Sequence, residues 1–204
     1  MSLGGYILAG KWKLILRNVW WRLTARLRGL DVSPIPAADL HLPEGGVDYA
    51  DSGGPDLAIV LKDLNLPRST WALDVGCGKG GSLVTLASFM HAEGLEYAAE
   101  LIPVAYENLR HGGGIFGRVL QGDAATFTNL DSYTLFYLFN PFSDVTLSAF
   151  LRNVEASRLR HPRKLSLLYR NAQPEHTRAM KAAGWIPVRS WSHAPHPIVL
   201  WVPE

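Results

Sequence analysis

The chain has 204 residues, 48% of them hydrophobic, and a formal net charge of +2. This length suffices for one sizeable core, so we expect one catalytic domain with an extension. The single cysteine excludes an internal disulfide and a paired-cysteine zinc site, and it indicates a reducing compartment, the cytoplasm. No apolar run approaches the ~20 residues of a membrane-spanning helix. Basic residues interrupt the N-terminal segment, where a signal peptide would need a continuous apolar run.

The first 30 residues are strongly basic, with six of the 20 Lys and Arg residues and none of the 18 Asp and Glu residues. Apolar residues recur there at helical spacing and predict an amphipathic helix over residues 6–30. Its apolar stripe consists of Leu8, Trp12, Ile15, Leu16, Val19, Leu23, Leu27 and Leu30. Two interpretations remain open. Either the stripe packs on the protein's own surface, or the helix attaches to the inner face of an anionic membrane or to a partner protein.

Prolines at Pro34 and Pro36 end this helix, so we divide the chain into a helix and linker, residues 1–45, and a domain, residues 46–204. Within the domain, short apolar runs alternate with helical segments, which predicts parallel βα units. The predicted strands are 71–74, 91–97, 119–121, 133–139 and 163–170, and the predicted helices are 55–64, 82–89, 100–109, 143–157 and 174–183.

The C-terminal runs 185–191 and 198–202 leave no room for a helix between them and predict an antiparallel hairpin. The expected fold is therefore α/β, with a Rossmann-like, mostly parallel seven-stranded sheet, this terminal hairpin, helices on both faces and an N-terminal helical extension.

A glycine-rich turn follows the first strand. Gly76-x-Gly78-x-x-Gly81, with Glu96 about 20 residues later, satisfies the fingerprint of dinucleotide-binding proteins. Asp74 argues against that interpretation, because a carboxylate two residues before the first glycine would repel a pyrophosphate. The same carboxylate suits a cationic ligand.

The turn Asp-x-Gly-x-Gly-x-Gly, residues 74–80, resembles motif I of the class I S-adenosylmethionine-dependent methyltransferases. The resemblance implies this cofactor, with Glu96 accepting hydrogen bonds from its ribose and Asp123 near its adenine. The cofactor-binding residues that it predicts are Tyr49, Asp74, Gly76, Cys77, Gly78, Gly80, Glu96, Asp123 and Ala124. Cys77 lacks a nearby base and is expected to be a small filling residue within the turn rather than a nucleophile.

The resemblance extends to a group of largely uncharacterised bacterial class I methyltransferases through Tyr49, the turn at 74–80, Gly-x-Glu at 94–96 and Tyr137-x-x-Asn140-Pro141-Phe142-Ser143. Members of that group commonly begin with a basic helical segment. The glycine turn is also similar to that of the non-SET lysine methyltransferases of histones. The chain departs from the group at Tyr49-Ala50-Asp51-Ser52, where Tyr-x-Pro-Thr is usual. An Asn-Pro-Pro-Tyr motif would indicate methylation of an amino group on a base or glutamine, but Asn140-Pro141-Phe142-Ser143 lacks its second proline.

The expected activity is methyl transfer to an unidentified acceptor, either a protein side chain or a small molecule. Asn140 and Pro141 are predicted to orient the acceptor, and Phe142 to exclude water. The alternatives are a non-catalytic S-adenosylmethionine-binding scaffold and, third, an NAD-dependent oxidoreductase. A nucleic-acid acceptor could contact the basic N-terminal segment and the basic cluster at residues 158–164. No metal is predicted, because His193 and His196 lie between prolines and lack a third ligand.

Overall fold

The computed structural model describes residues 12–42, 48–113, 117–192 and 196–204, without the side chains of residues 13–15. Its strands are β1 (Trp71–Val75), β2 (His91–Glu96), β3 (Arg118–Gln121), β4 (Leu135–Phe139), β5 (Ser166–Arg170), β6 (Trp185–Trp191) and β7 (Ile198–Pro203). Its α-helices are α1 (Trp12–Leu27), α2 (Pro55–Leu64), α3 (Gly81–Ala87), α4 (Ile102–His111), α5 (Asp144–Arg160) and α6 (Pro174–Ala182).

The seven strands form one sheet in the order β3-β2-β1-β4-β5-β7-β6. Strands β1 to β5 pair in parallel, whereas β7 pairs antiparallel with both β5 and β6. The predicted fold class and the terminal hairpin are confirmed. The strand order reverses direction between β1 and β4, which opens a crevice at the carboxyl ends of the strands, where open α/β sheets bind ligands.

Two apolar layers cover the sheet, because alternate strand residues point to opposite faces. Tyr137 belongs to the layer formed with α2, α3 and α4, and its neighbours Phe136 and Leu138 belong to the layer formed with α5 and α6. The central strands are buried on both faces. This rigid frame fixes the strand ends that carry the predicted site residues.

Helix α1 docks on the domain through the face that carries its polar contacts. The Arg17 guanidinium pairs with the buried carboxylate of Asp56, and the Trp21 indole donates to Asp51 Oδ2 at 2.9 Å. Ala25, on the same side, is fully buried. These contacts hold the helix in one orientation against the body of the protein.

Of the two interpretations of the apolar stripe, packing on the protein's own surface is wrong. The described stripe residues of the helix point away from the domain and are about half exposed or more; they are Trp12, Leu16, Val19, Leu23 and Leu27. Leu30 lies beyond the helix end and is buried. Leu8 and the side chain of Ile15 lie outside the described residues.

Beyond α1, Ile35 forms an isolated antiparallel bridge with Tyr49. The predicted boundary between residues 45 and 46 lies outside the described residues and stays a prediction. Within the described part of the chain, no helix has the length and apolar character that crossing a membrane requires.

Candidate functional site

A cavity of about 320 Å³ lies at the carboxyl ends of β1, β2 and β4. Of the twelve residues predicted to form the site, ten line it: Tyr49, Gly76, Cys77, Gly78, Glu96, Asp123, Ala124, Asn140, Pro141 and Phe142. The other two, Asp74 and Gly80, lie behind its wall. Gly80 precedes α3 and abuts Ala105 of α4, so it serves the close packing of the two helices.

The glycine turn requires glycine for both conformation and space. Gly76 has φ +71° and Gly78 has φ +55°, a region that L side chains rarely adopt. A Cβ atom on Gly76 would lie 2.4 Å from Pro141 Cβ, and one on Gly78 would lie 2.2 Å from the Tyr49 ring. The bare backbone of the turn is therefore held between Tyr49 on one side and Pro141 on the other.

Lys79, the basic residue of the turn, does not line the cavity, and its ammonium lies 5.7 Å from the centroid of the Tyr49 ring. Its ammonium is buried and bonds Asp31 Oδ2 and Ser33 Oγ, each at 2.8 Å. The Asn108 side chain ties the same segment to the turn, because its Nδ2 donates to the carbonyls of Asp31 and Lys79 at 2.7 Å. The positive charge of the turn thus anchors the N-terminal segment.

Asp74 is fully buried at the end of β1, and its Oδ2 accepts a hydrogen bond of 2.6 Å from Ser82 Oγ. Burial raises the pKa of Asp74 to about 7, against the opposing effect of Ser82, and the nearby carboxylates of Glu96 and Asp51 raise it further. Ser82 itself lines the cavity. Asp74 therefore lies behind Ser82, and its raised pKa means that a nearby positive charge would favour its ionised form.

Glu96 lies at the end of β2 and presents its carboxylate to the cavity. Oε2 accepts from the Gly78 amide at 2.7 Å, and Oε1 accepts from the Ala98 amide at 2.9 Å. Burial raises the pKa of Glu96, and these backbone donors oppose the rise. A carboxylate has about four accepting positions, and the Tyr97 amide also acts on Glu96, so accepting capacity remains for a ligand but most of it is already used.

Two predicted residues have structural contacts as well. Cys77 is buried, and its Sγ would lie 2.5 Å from a Cβ atom on Gly94, so its side chain fills the space over that glycine. Burial raises the pKa of the Cys77 thiol well above its usual value, which opposes a nucleophilic role. Asp123 accepts from the Ala125 amide at 2.8 Å and so forms the turn after β3.

Asn140 follows β4 with φ +45°, in the left-handed region that asparagine tolerates better than most residues. Its Oδ1 is buried and has no hydrogen-bond partner among the described residues, and the same holds for Tyr49 Oη. A buried polar atom without a partner costs free energy unless a ligand or water supplies one. Both atoms belong to residues that line the cavity.

Asp51 and Ser82 line the cavity but were missed as site residues. Asp51 accepts from the Trp21 indole and, at 3.0 Å, from the Gly53 amide, and it packs against Gly81 at the start of α3. The signal in the sequence was the aspartate in Tyr49-Ala50-Asp51-Ser52, where the resembling group has proline. The signal for Ser82 was its place in the first turn of the helix after the glycines.

The cavity is strongly anionic. Four carboxylate residues line it, namely Asp48, Asp51, Glu96 and Asp123, and Asp74 lies just behind Ser82. Among the described residues of the lining, none is Lys or Arg. A cavity with this charge favours a cationic ligand and disfavours a phosphate.

The basic cluster at residues 158–164 is partly paired with nearby carboxylates, and one further arginine is bound to backbone carbonyls. Arg158 pairs with Glu155, Arg160 and His161 pair with Asp131, and Arg163 donates to backbone carbonyls, including that of Leu130 at 2.7 Å. These contacts weaken the case for a nucleic-acid surface at the cluster.

The predicted histidine pair in the β6–β7 loop is only half described. His196 packs near the Phe139 ring, with 5.9 Å between the ring centroids. Burial and the Arg170 charge lower the pKa of His196. His193 lies outside the described residues.

No protein-family model and no curated protein sequence matches the chain. Solved structures do match. A candidate O-methyltransferase from Nostoc punctiforme PCC 73102 is 15% identical with a TM-score of 0.60; the match covers 72% of this chain and 55% of that one. The present chain thus spans just over half the length of the Nostoc protein.

Two further solved structures contain a ligand. Magnesium protoporphyrin IX methyltransferase from Synechocystis PCC 6803, with bound S-adenosylmethionine, is 12% identical with a TM-score of 0.59, over 73% of this chain and 77% of that one. An RNA methyltransferase from Salinibacter ruber, in complex with S-adenosylhomocysteine, is 15% identical with a TM-score of 0.56, over 73% and 92%. At these identities the likeness establishes the fold. The chain has the fold of the class I S-adenosylmethionine-dependent methyltransferases.

Proposed function

We propose that the chain binds S-adenosylmethionine in this cavity and transfers its methyl group to an acceptor. The observation that carries the proposal is the charge of the cavity, whose described lining has four carboxylates and no Lys or Arg. S-adenosylmethionine is cationic at its sulfonium and α-ammonium groups, whereas NAD carries a pyrophosphate. The inward carboxylates and the position of Lys79 outside the described lining suit the first cofactor and oppose the second.

The residues fit this cofactor in three respects. The glycine turn offers backbone that a Cβ atom would obstruct. Glu96 retains accepting capacity toward the ribose. Asp123 follows β3, at the position where the family resemblance places an acid near the adenine. Tyr49 covers the turn and has a buried hydroxyl that lacks a partner among the described residues. When bound, the cofactor supplies an electrophilic methyl group attached to a good leaving group.

The contribution of the chain to the chemistry is orientation and exclusion of water. Asn140 Oδ1, buried and unpartnered among the described residues, accepts a hydrogen bond from an amine or hydroxyl of the acceptor and aims its lone pair. Pro141 supplies a carbonyl that is fixed in place, because its ring is held against Gly76. Phe142 packs against the apolar layer formed with α5 and α6 and lines the cavity, and its proposed role is to exclude water from the reacting groups.

Replacing Glu96 tests the cofactor assignment. Glu96→Ala removes one or two charge-assisted bonds, so S-adenosylmethionine should bind about 10- to 100-fold more weakly, from about 1.5–3 kcal/mol. Isothermal titration calorimetry measures the change. Glu107→Ala is the matched control, since this exposed carboxylate pairs with Arg110 on α4 and does not line the cavity. Equal affinities for the two variants would contradict the assigned role of Glu96.

Replacing Asn140 tests the catalytic assignment. Asn140→Ala should lower the rate of methyl transfer by about 100-fold, because the acceptor loses its orienting bond, while cofactor affinity changes by less than about threefold. Asn65→Ala is the control for backbone strain, since Asn65 has φ +47° at the end of α2, away from the cavity. If cofactor binding collapses in Asn140→Ala and not in Asn65→Ala, then Asn140 is a cofactor ligand and this assignment is wrong.

The acceptor is found by incubating the protein with radiolabelled S-adenosylmethionine and fractionated cell extract. We expect label in protein or in small molecules. Label in nucleic acid would instead favour that class of acceptor. Tight cofactor binding with no label transferred to any fraction would favour the non-catalytic scaffold.

A further inference from the structure

The outer face of α1 is an apolar surface without an obvious place in the proposed methyl transfer. It consists of six side chains, each between 48% and 87% exposed, which we call the outer stripe: Trp12, Leu16, Val19, Trp20, Leu23 and Leu27. They recur at intervals of three and four residues and therefore share one side of the helix. A contiguous apolar surface of this kind on a folded protein marks a binding surface.

The orientation of the stripe is fixed by the opposite face of the helix. Arg17 pairs with Asp56, Trp21 bonds Asp51, and the Arg28 guanidinium donates to the Gly112 carbonyl at 3.1 Å. Turning the helix to bury the stripe would break the ion pair between Arg17 and Asp56, a carboxylate that is only 1% exposed, and would leave the longer 3.6 Å contact between Asp56 and Arg170. Because removing one partner of a buried ion pair is costly, the domain holds the stripe outward.

The charges beside the stripe indicate what it binds. Arg22 and Arg26 are exposed, one helical turn apart, along one edge of the stripe. The first 30 residues carry six basic residues and no acid, whereas the rest of the chain carries 14 basic and 18 acidic residues. A positive apolar helix on a mildly acidic body is matched by a surface that is both apolar and anionic.

We propose that the outer stripe and its two flanking arginines bind the surface of an anionic lipid bilayer, with α1 parallel to the membrane plane. The apolar side chains enter the boundary between headgroups and acyl chains, and the arginines contact the anionic headgroups. Trp12 and Trp20 suit this boundary, because an indole combines a large apolar ring with a polar N–H group. The arginine edge distinguishes this anionic surface from a partner that is apolar alone.

The test is flotation of the full-length protein with vesicles. The protein should float with vesicles of equimolar phosphatidylcholine and phosphatidylglycerol and remain unbound with phosphatidylcholine alone. Arg22→Gln/Arg26→Gln should weaken binding by about 30-fold, from the loss of two charges near an anionic surface. Leu16→Ser/Leu23→Ser should weaken it by at least about tenfold.

Two controls separate this surface from the rest of the molecule. Val145→Ser/Leu159→Ser removes exposed apolar side chains from α5, and Arg152→Gln/Lys181→Gln removes exposed charges from α5 and α6; neither should alter flotation. Thermal unfolding of every variant checks the fold independently of cofactor binding.

Failure of the wild-type protein to float, or equal binding to both kinds of vesicle, would overturn the proposal. The proposal would also fail if the Leu16/Leu23 variant abolished self-association in size-exclusion chromatography with light scattering while the wild type ignored vesicles. The stripe would then join two copies of the chain.

Discussion

Gly78→Ala is expected to abolish measurable binding of S-adenosylmethionine, a loss of about 1000-fold or more by calorimetry. Two effects combine. An alanine at φ +55° costs about 1–2 kcal/mol, and its Cβ would lie 2.2 Å from the Tyr49 ring. Relief of that overlap must move Tyr49 or the turn itself, and both form the wall against which the cofactor is proposed to lie.

Gly184→Ala is the matched control, because Gly184 has φ +75° and no described atom lies within 4 Å of the position that an added Cβ atom would take. This variant should lower the melting temperature by about 2–4 °C per kcal/mol of backbone strain and leave cofactor affinity unchanged. If Gly78→Ala behaves like Gly184→Ala, then the turn tolerates a side chain and is not the cofactor wall.

Asp74→Asn is expected to weaken cofactor binding by at least about 100-fold at a pH where Asp74 is ionised. The amide retains an oxygen that can accept from Ser82, so the local packing is kept while the negative charge is lost. The fold should tolerate the change, because the carboxylate is buried and its ionisation is unfavourable without a cation. A variant that is stable but binds poorly would separate the role of the charge from that of the fold.

The pKa of Asp74 gives this prediction a pH dependence. The pKa of Asp74 is about 7 in the folded protein, above the usual 3.8. The protonated carboxyl therefore contributes fully to the free energy of unfolding below pH 3.8, and this contribution is lost as the pH rises to about 7. A cationic ligand prefers ionised Asp74 and therefore displaces its proton. Affinity should fall about fivefold from about pH 7 to about pH 6 in the wild type and stay flat in Asp74→Asn.

Proton release tests the same point directly. Titrations in buffers of different ionisation enthalpy should show close to one proton released on binding near pH 6. Asp74→Asn should release none. Identical pH profiles for the two proteins would mean that Asp74 does not sense the ligand.

The sheet could be predicted from the sequence because its signals are local. Each strand is a short apolar run, and the helices between them have caps or prolines at their starts, such as Ser143 before α5 and Pro174 at the start of α6. The absence of helical sequence between residues 191 and 198 predicted the hairpin. The strand ends then brought Glu96 and Asn140 to one edge, as parallel strands must.

Contacts between distant segments could not be predicted. Lys79 lies within the glycine turn in sequence, yet its ammonium reaches Asp31, 48 residues away, and the residue does not line the cavity. Asp74 ends β1 as predicted but turns to Ser82 behind the wall. Neither outcome follows from spacing, because each depends on which partner the folded chain brings within hydrogen-bond distance.

The orientation of α1 shows the same limit. Helical periodicity identified the apolar stripe but carries no information on whether that face meets the domain or solvent. The ion pair between Arg17 and Asp56 and the bond between Trp21 and Asp51 decide it, and both join the helix to segments 30 or more residues away.

The central claim is that the cavity binds a cationic cofactor, and titration of the wild-type protein by calorimetry tests it most directly. S-adenosylmethionine and NAD are titrated separately at neutral pH, with S-adenosylhomocysteine, which lacks the sulfonium charge, as the neutral-sulfur comparison. We predict saturable binding of S-adenosylmethionine, weaker affinity in Asp74→Asn, and no heat of binding with NAD. Binding of NAD without binding of S-adenosylmethionine would contradict the account.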